Sequence, residues 1–254
     1  MNFPPPFTPP AQLQQQLRSR GYAVLSPQAV AALAGVTLAE LDALHAGWNA
    51  LPPDDYLKDG GRYRRRRHSC FVADRGVLLS VPRRAHWQPL EYNALHGGME
   101  RWFEPMDAAT LAAPAWDKLI GALAGISSEL KGQRAWSVEA HQFRIDTTDG
   151  IGRPTPEGAH RDGVDIVAVF LVNREGIKGG ETRVFESDGP GGQRFTLTEP
   201  WSLLLLDDAR VVHESTPIQP LAKGGHRDTL VVTLRAGGFQ GQPSFPRRRE
   251  PRAS

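Results

Sequence analysis

Three short groups in the C-terminal half of the chain could do chemistry together: His160-Arg161-Asp162, His213, and Arg227-Asp228-Thr229. Two imidazoles and one carboxylate on one face of an ion are the ligand set of non-heme iron(II) oxygenases, and they leave half of the coordination sphere open. An arginine with a hydroxyl two residues on can grip the far carboxylate of a dicarboxylate such as 2-oxoglutarate, because guanidinium–carboxylate bonding is charge-assisted and often bidentate. As an ordered set these residues point to oxygen activation with Fe(II) and 2-oxoglutarate.

His-x-Asp occurs twice, as His160-Arg161-Asp162 and His226-Arg227-Asp228. Both copies also spell the start of a protein-kinase catalytic loop, but a Gly-rich loop and an Asp-Phe-Gly are missing, so that reading fails. The first copy is the better metal site. Residues i and i+2 of a strand project to one side, so His160 and Asp162 could hold one ion between them. Pro154, Pro156 and Gly158 suit a strand starting at a barrel rim, and Val164 to Val172 reads as a buried strand beyond it. The second copy reads as the start of a final strand whose Arg227 and Thr229 face inward together. Taken singly, each copy is equally a solvated turn with a salt bridge, and His213 equally a satisfied core histidine. Only the combination favours a site.

These residues need a scaffold, and the spacing predicts one. Helices are expected from Ala11 to Leu51, with Leu13 and Leu17 as an i, i+4 pair, Ser26-Pro27 as an N-cap with Pro at the first helical position, and Thr37 with Glu40 as a capping box. Residues Pro52 to Gln88 read as mixed, around the run Arg62-Tyr63-Arg64-Arg65-Arg66-Arg67. A further helix is expected over Trp116–Leu130. From Trp136 onward the chain turns to short β segments separated by Gly, Pro and Asp: Trp136–Ile145, Ile166–Asn173, Thr182–Phe185, Arg194–Leu197, Ser202–Leu206 and Leu230–Arg235. That succession implies an antiparallel double sheet of jelly-roll type. The division expected is a flexible Pro-rich start over 1–10, one domain over 11–240 (helical part 11–135, β core 136–238) and a disordered basic tail over 241–254.

Composition limits the alternatives. An apolar share of 40% and a charged share of 23% are those of an ordinary soluble globular chain. A formal net charge of +2 gives no support for nucleic acid or an acidic membrane as partner. Cys70 is the only cysteine, so no internal disulfide forms, and a reducing cytoplasm is the expected location. The start lacks the basic and apolar regions of a secretory signal, and the longest apolar run, Ile166 to Val172, is too short to span a bilayer.

The stretches Pro154–Asp165, Gly179-Gly180-Glu181-Thr182, Asp207–His213 and Arg227–Thr233 resemble the bacterial 2-oxoglutarate/Fe(II) dioxygenase family that includes L-isoleucine 4-hydroxylase. The similarity runs from about Gly21 to Arg235, with no departure at the ligand positions. It implies a mainly β fold with some α: a double-stranded β-helix, jelly-roll and cupin-like, with N-terminal helices buttressing one sheet. It implies iron on His160, Asp162 and His213, and 2-oxoglutarate on Arg227 with help from Thr229. The implied reaction hydroxylates an unactivated C–H of a free L-amino acid with O2, releasing succinate and CO2, with ascorbate as reductant in vitro. Related halogenases carry a small residue where Asp162 stands, so hydroxylation is the expected outcome.

A zwitterionic substrate needs a cation for its carboxylate and an acceptor for its ammonium. Glu157, Arg144, Arg161 and His141 are the candidates, although strand alternation should turn Arg161 away from the ion. The Arg62–Arg67 run could offer an inward arginine, since a strand would split it into two faces; a solvated basic face reads equally well. Competing readings are the same chemistry on an N-acylated, carrier-bound or peptide substrate, and a non-catalytic jelly-roll binding protein. The oligomeric state is left open, a homo-oligomer included.

Overall fold

The computed structural model describes residues 3–241. The basic tail expected from residue 241 thus lies, from 242 on, outside the described residues. Among the described residues no single helix is long and apolar enough to cross a membrane.

Five helices precede most of the sheet structure: α1 (Leu13–Arg20), α2 (Pro27–Ala34), α3 (Leu38–Leu44), α4 (Ala108–Leu111) and α5 (Pro114–Lys131). Local chemistry sets their ends. Ser26 caps α2 by accepting from the Ala29 N–H, and Pro27 opens the helix. Thr37 and Glu40 form the complete capping box of α3. Gly21 ends α1 with φ of 76°, a left-handed conformation that L side chains adopt rarely.

Strand β1 (Tyr22–Leu25) follows directly, so the helical reading of Ala11–Leu51 is corrected there. Once Gly21 breaks the helix, the four consecutive apolar residues Tyr-Ala-Val-Leu serve a strand buried on both faces. From Phe3 the Pro-rich start makes backbone bonds to the sheet region. The Thr8 N–H donates to the Val24 carbonyl at 2.7 Å, and the Thr196 N–H donates to the Phe3 carbonyl at 2.9 Å.

The remaining strands are β2 (Arg64–Asp74), β3 (Val77–Ser80), β4 (Trp136–Asp146), β5 (Ile166–Glu175), β6 (Ile177–Gly179), β7 (Thr182–Glu186), β8 (Gly192–Phe195), β9 (Leu203–Asp207), β10 (Val211–Ser215), β11 (Ile218–Pro220) and β12 (His226–Ala236). A seven-stranded sheet has the order β1-β9-β5-β12-β4-β2-β3; opposite it lie β10-β7-β8 and the pair β11-β6. Every strand pair is antiparallel, giving the double-stranded β-helix of a jelly roll.

Strand alternation divides the large sheet's residues between two cores. Trp136, Val138 and Ala140 of β4, with Leu230, Val232 and Leu234 of β12, pack under the helices against Trp116, Leu119 and Leu123. Val167, Leu171, Leu204 and Leu206 face the small sheet and meet Val184, Phe195 and Val211. The intervening positions of β2, β4 and β12 are largely polar, and there the interior opens into a cavity.

Candidate active site

The cavity is built from rows across the large sheet. Register places Arg64, Ile145 and Arg227 in one row, Arg66, Phe143 and Thr229 in the next, His68, His141 and Val231 in the third, and Cys70, Glu139 and Thr233 in the fourth. From the opposite side come His160, Asp162 and His213. The segment Val81–Met106 sends in His86, Gln88, Asn93 and Arg101.

His160 and His213 are joined by an antiparallel bridge, with a 3.0 Å backbone bond in each direction. This puts their rings side by side, with centroids 4.7 Å apart. Asp162 completes the group: its Oδ1 lies 3.9 Å from His160 Nε2 and its Oδ2 3.8 Å from His213 Nε2. The arrangement suits a divalent ion, whose adjacent ligands lie about 3 Å apart. His160 Nδ1–H donates to the Gly158 carbonyl at 2.9 Å, which leaves the Nε2 lone pair able to bind an ion. His213 Nδ1 is buried with no hydrogen-bond partner.

Asp162 does not lie on a regular strand beside His160, contrary to the i, i+2 expectation. It stands in an irregular segment before β5. Asp208 anchors that segment: its carboxylate accepts the backbone N–H groups of Asp162, Gly163 and Val164 at 3.0, 2.8 and 3.1 Å. Burial and the neighbouring Asp162 push the Asp208 carboxyl up to about 6. A directed chain of hydrogen bonds reaches Asp162 from the other side. Asn93 and Arg101 donate to Gln88 Oε1, and Gln88 Nε2 donates to Asp162 Oδ1 at 3.2 Å.

Arg227 is buried at 4% exposure, lines the cavity, and makes no ion pair among the described residues. Burial, then the like charge of Arg174, push its guanidinium down to about 10. An unpaired buried cation is costly unless an anion joins it, so the position is chemically matched to a carboxylate ligand. Thr229 lines the cavity one row further on.

Of the substrate-contact candidates, Glu157 and His141 line the cavity, whereas Arg144 and Arg161 do not. Arg144 alternates to the helix-facing side. There it makes a bidentate pair with the fully buried Asp228, both contacts at 2.7 Å, so its charge is already used. The same pair explains why the second His-x-Asp copy is not a metal site. Arg161 turns outward, its guanidinium 5.7 Å from the Tyr92 ring.

The Arg62–Arg67 run is indeed split by a strand, with two arginines inward. Arg64 and Arg66 are buried, and Arg65 and Arg67 alternate outward. Asp54 takes Arg64 Nε at 2.7 Å and lies 3.7 Å from Arg66. Burial works against the Asp54 charge, but Arg66 and Arg64 outweigh it and hold its carboxyl below the ordinary range. Arg66 is clamped between Phe103 and Phe143, 3.8 and 4.4 Å from the ring centroids. Groups of both charges keep an unused polar atom in this part of the site: Arg64 Nη2, Arg66 Nε and Arg101 Nε on one side and Glu157 Oε2 on the other are buried without a partner. Arg64, Arg66, His86, Gln88, Asn93, Arg101 and Glu139 were not singled out as contacts by sequence. Only the strand split of the arginine run offered a signal.

Residues 45–233 match the family model described as 2OG-Fe dioxygenase. A bsmA homolog from Methylobium petroleophilum PM1 is 52% identical and superposes with a TM-score of 0.89, over 94% of this chain and 97% of that one. IDO from Bacillus thuringiensis (18% identity, TM-score 0.72, 89% and 98% covered) shares the fold. So does the Fe(II)/(alpha)ketoglutarate-dependent dioxygenase TqaL (20%, 0.69, 93% and 90%). A search of curated proteins finds no match.

Proposed function

The chain belongs to the 2OG-Fe dioxygenase family, and from that premise we propose that it hydroxylates an unactivated C–H of a free L-amino acid, as in the subfamily of L-isoleucine 4-hydroxylase. Fe(II) and 2-oxoglutarate are the family's cofactors. In this reading His160, Asp162 and His213 hold the iron, and Arg227 with Thr229 holds the distal carboxylate of 2-oxoglutarate. The iron supplies oxygen activation coupled to the decarboxylation of 2-oxoglutarate to succinate and CO2.

The protein's own contribution is positioning. Glu157, 3.6 Å from His160 Nε2, has an unpartnered carboxylate oxygen for the substrate ammonium. Arg64, with its free Nη2 in the same cavity, takes the substrate carboxylate. Unsatisfied buried atoms of both charges in one cavity are the observation that carries the reading, because each is costly until a ligand with a cation and an anion, such as a zwitterion, satisfies them. Val81–Met106 brings four polar side chains over the cavity, which favours a small free substrate over a peptide.

The test compares free amino acids with their N-acetyl and methyl-ester forms in an assay of succinate release with Fe(II), ascorbate and air. Stimulation by a free amino acid, lost on blocking either end, is expected. Stimulation only by the N-acylated form would move the substrate to a tethered one.

A further inference from the structure

Four clustered side chains are used by neither the proposed ion nor 2-oxoglutarate: His86, Glu139 and His141, which line the cavity, and His68 behind them. Their donor atoms lie within 4.8 Å of one another, as a second metal centre would require. The hydrogen bonds argue against a metal there. Arg66 Nη2 lies 2.7 Å from His141 Nδ1 and can only donate. Nδ1 is therefore the acceptor, and the His141 proton sits on Nε2, the atom a metal would need. Moving that proton to Nδ1 would set two donors against each other.

The same logic assigns the other tautomers. Glu139 Oε2 lies 2.9 Å from His68 Nε2 and 2.7 Å from His86 Nδ1. A carboxylate only accepts, so both nitrogens carry protons. Burial would raise the Glu139 carboxyl, but His86 and His68 hold it well below its ordinary range. Burial pushes His86 down to about 4 despite Glu139, and burial lowers His68 and His141 as well. The imidazoles are thus neutral and their tautomers locked. His86 lines the cavity with Nδ1 committed to Glu139, which leaves Nε2 as its free acceptor. His141 lines the cavity with Nε2–H as its donor, 3.9 Å from Glu139 and beyond hydrogen-bond reach.

This wall lies four residues along β2 from Arg64, about 13 Å at strand rise. That is a backbone spacing; Arg64, Glu157, His86 and His141 all send their side chains into the same cavity, with Arg66 between the two rows. Resting on the reading of the site as a free amino acid hydroxylase, we propose that the fixed acceptor of His86 and the fixed donor of His141 select a substrate whose side chain ends in a neutral hydrogen-bonding group, an amide or a hydroxyl. An aliphatic end would leave two buried polar atoms unpaired. A side-chain carboxylate would set its lone pairs against that of His86, and a side-chain ammonium would set its N–H groups against that of His141.

The test is anaerobic calorimetry on the protein loaded with Mn(II) and 2-oxoglutarate, using isosteric pairs: L-asparagine against L-leucine, L-glutamine against L-methionine, L-threonine against L-valine. In the best-binding pair the polar member is expected to bind about 10- to 100-fold tighter. His86→Leu should reverse that preference. Apolar members binding equally well or better in every pair would overturn the inference while leaving the amino acid reading intact. Binding by none of the six would overturn the inference, and binding by no free L-amino acid at all would overturn the amino acid reading with it. The wild-type comparison stands even if the variant does not fold.

Discussion

In the proposed ion site His213 would bind through Nε2, and its Nδ1 is buried without a partner. His213→Ala should reduce bound Fe(II) or Mn(II) from one per chain to a small fraction, read by metal analysis after gel filtration. Arg227 separates into a charge effect and a shape effect. Arg227→Ala should raise the KM for 2-oxoglutarate about 100-fold, and Arg227→Lys about 10-fold, since an ammonium restores charge without the bidentate fork. An unchanged KM in both would place the clamp elsewhere. That His160, Asp162 and His213 come together and share a cavity with Arg227 could be read from the sequence because these residue types are rare in combination. Glu139 and His86 could not, because each becomes meaningful only beside partners 71 and 53 residues away.

Elements differed in legibility for one physical reason, the nature of what they face. Strands β4, β5, β9 and β12 bury apolar residues on one or both faces, so their pattern stands out. Strand β2 points Arg64, Arg66 and His68 into a polar cavity and Arg65, Arg67 and Ser69 the other way, so no apolar alternation marks its first half. The Val81–Met106 segment is held by side-chain bonds such as His86–Glu139 and Gln88–Asp162, which carry no period. Helix α5 was legible because Trp116, Leu119, Ile120 and Leu123 repeat at helical spacing, all buried. Leu119→Ala there should cost about 2–5 kcal/mol in urea unfolding, with metal content unchanged. Asp208→Asn acts on the segment carrying Asp162. An amide offers one acceptor oxygen where three N–H groups need two, so divalent-ion affinity should fall about 10-fold or more, measured by competition with a chelator.

For the whole molecule, the polar cavity ties stability to pH. In the metal-free protein His68, His86, His141 and His213 are held neutral by burial, while His160 is shifted the other way. An imidazole with a lowered folded pKa stabilises fully above the unfolded value near 6.5 and loses that contribution as the pH falls. For His86, pushed down to about 4, the loss amounts to about 3 kcal/mol. The urea midpoint should therefore drop steadily between pH 6.5 and 4, and a flat profile would mean these rings are charged in the fold. Such a destabilising interior is retained, in this account, because it holds cosubstrate and substrate together beside one ion. The most direct check is turnover under 18O2 with the best-binding amino acid, followed by mass spectrometry of both products. The expected result is one 18O in succinate and one in the hydroxylated amino acid, formed in equal amounts. Succinate without label, or labelled succinate with no oxygenated amino acid from any candidate, would contradict it.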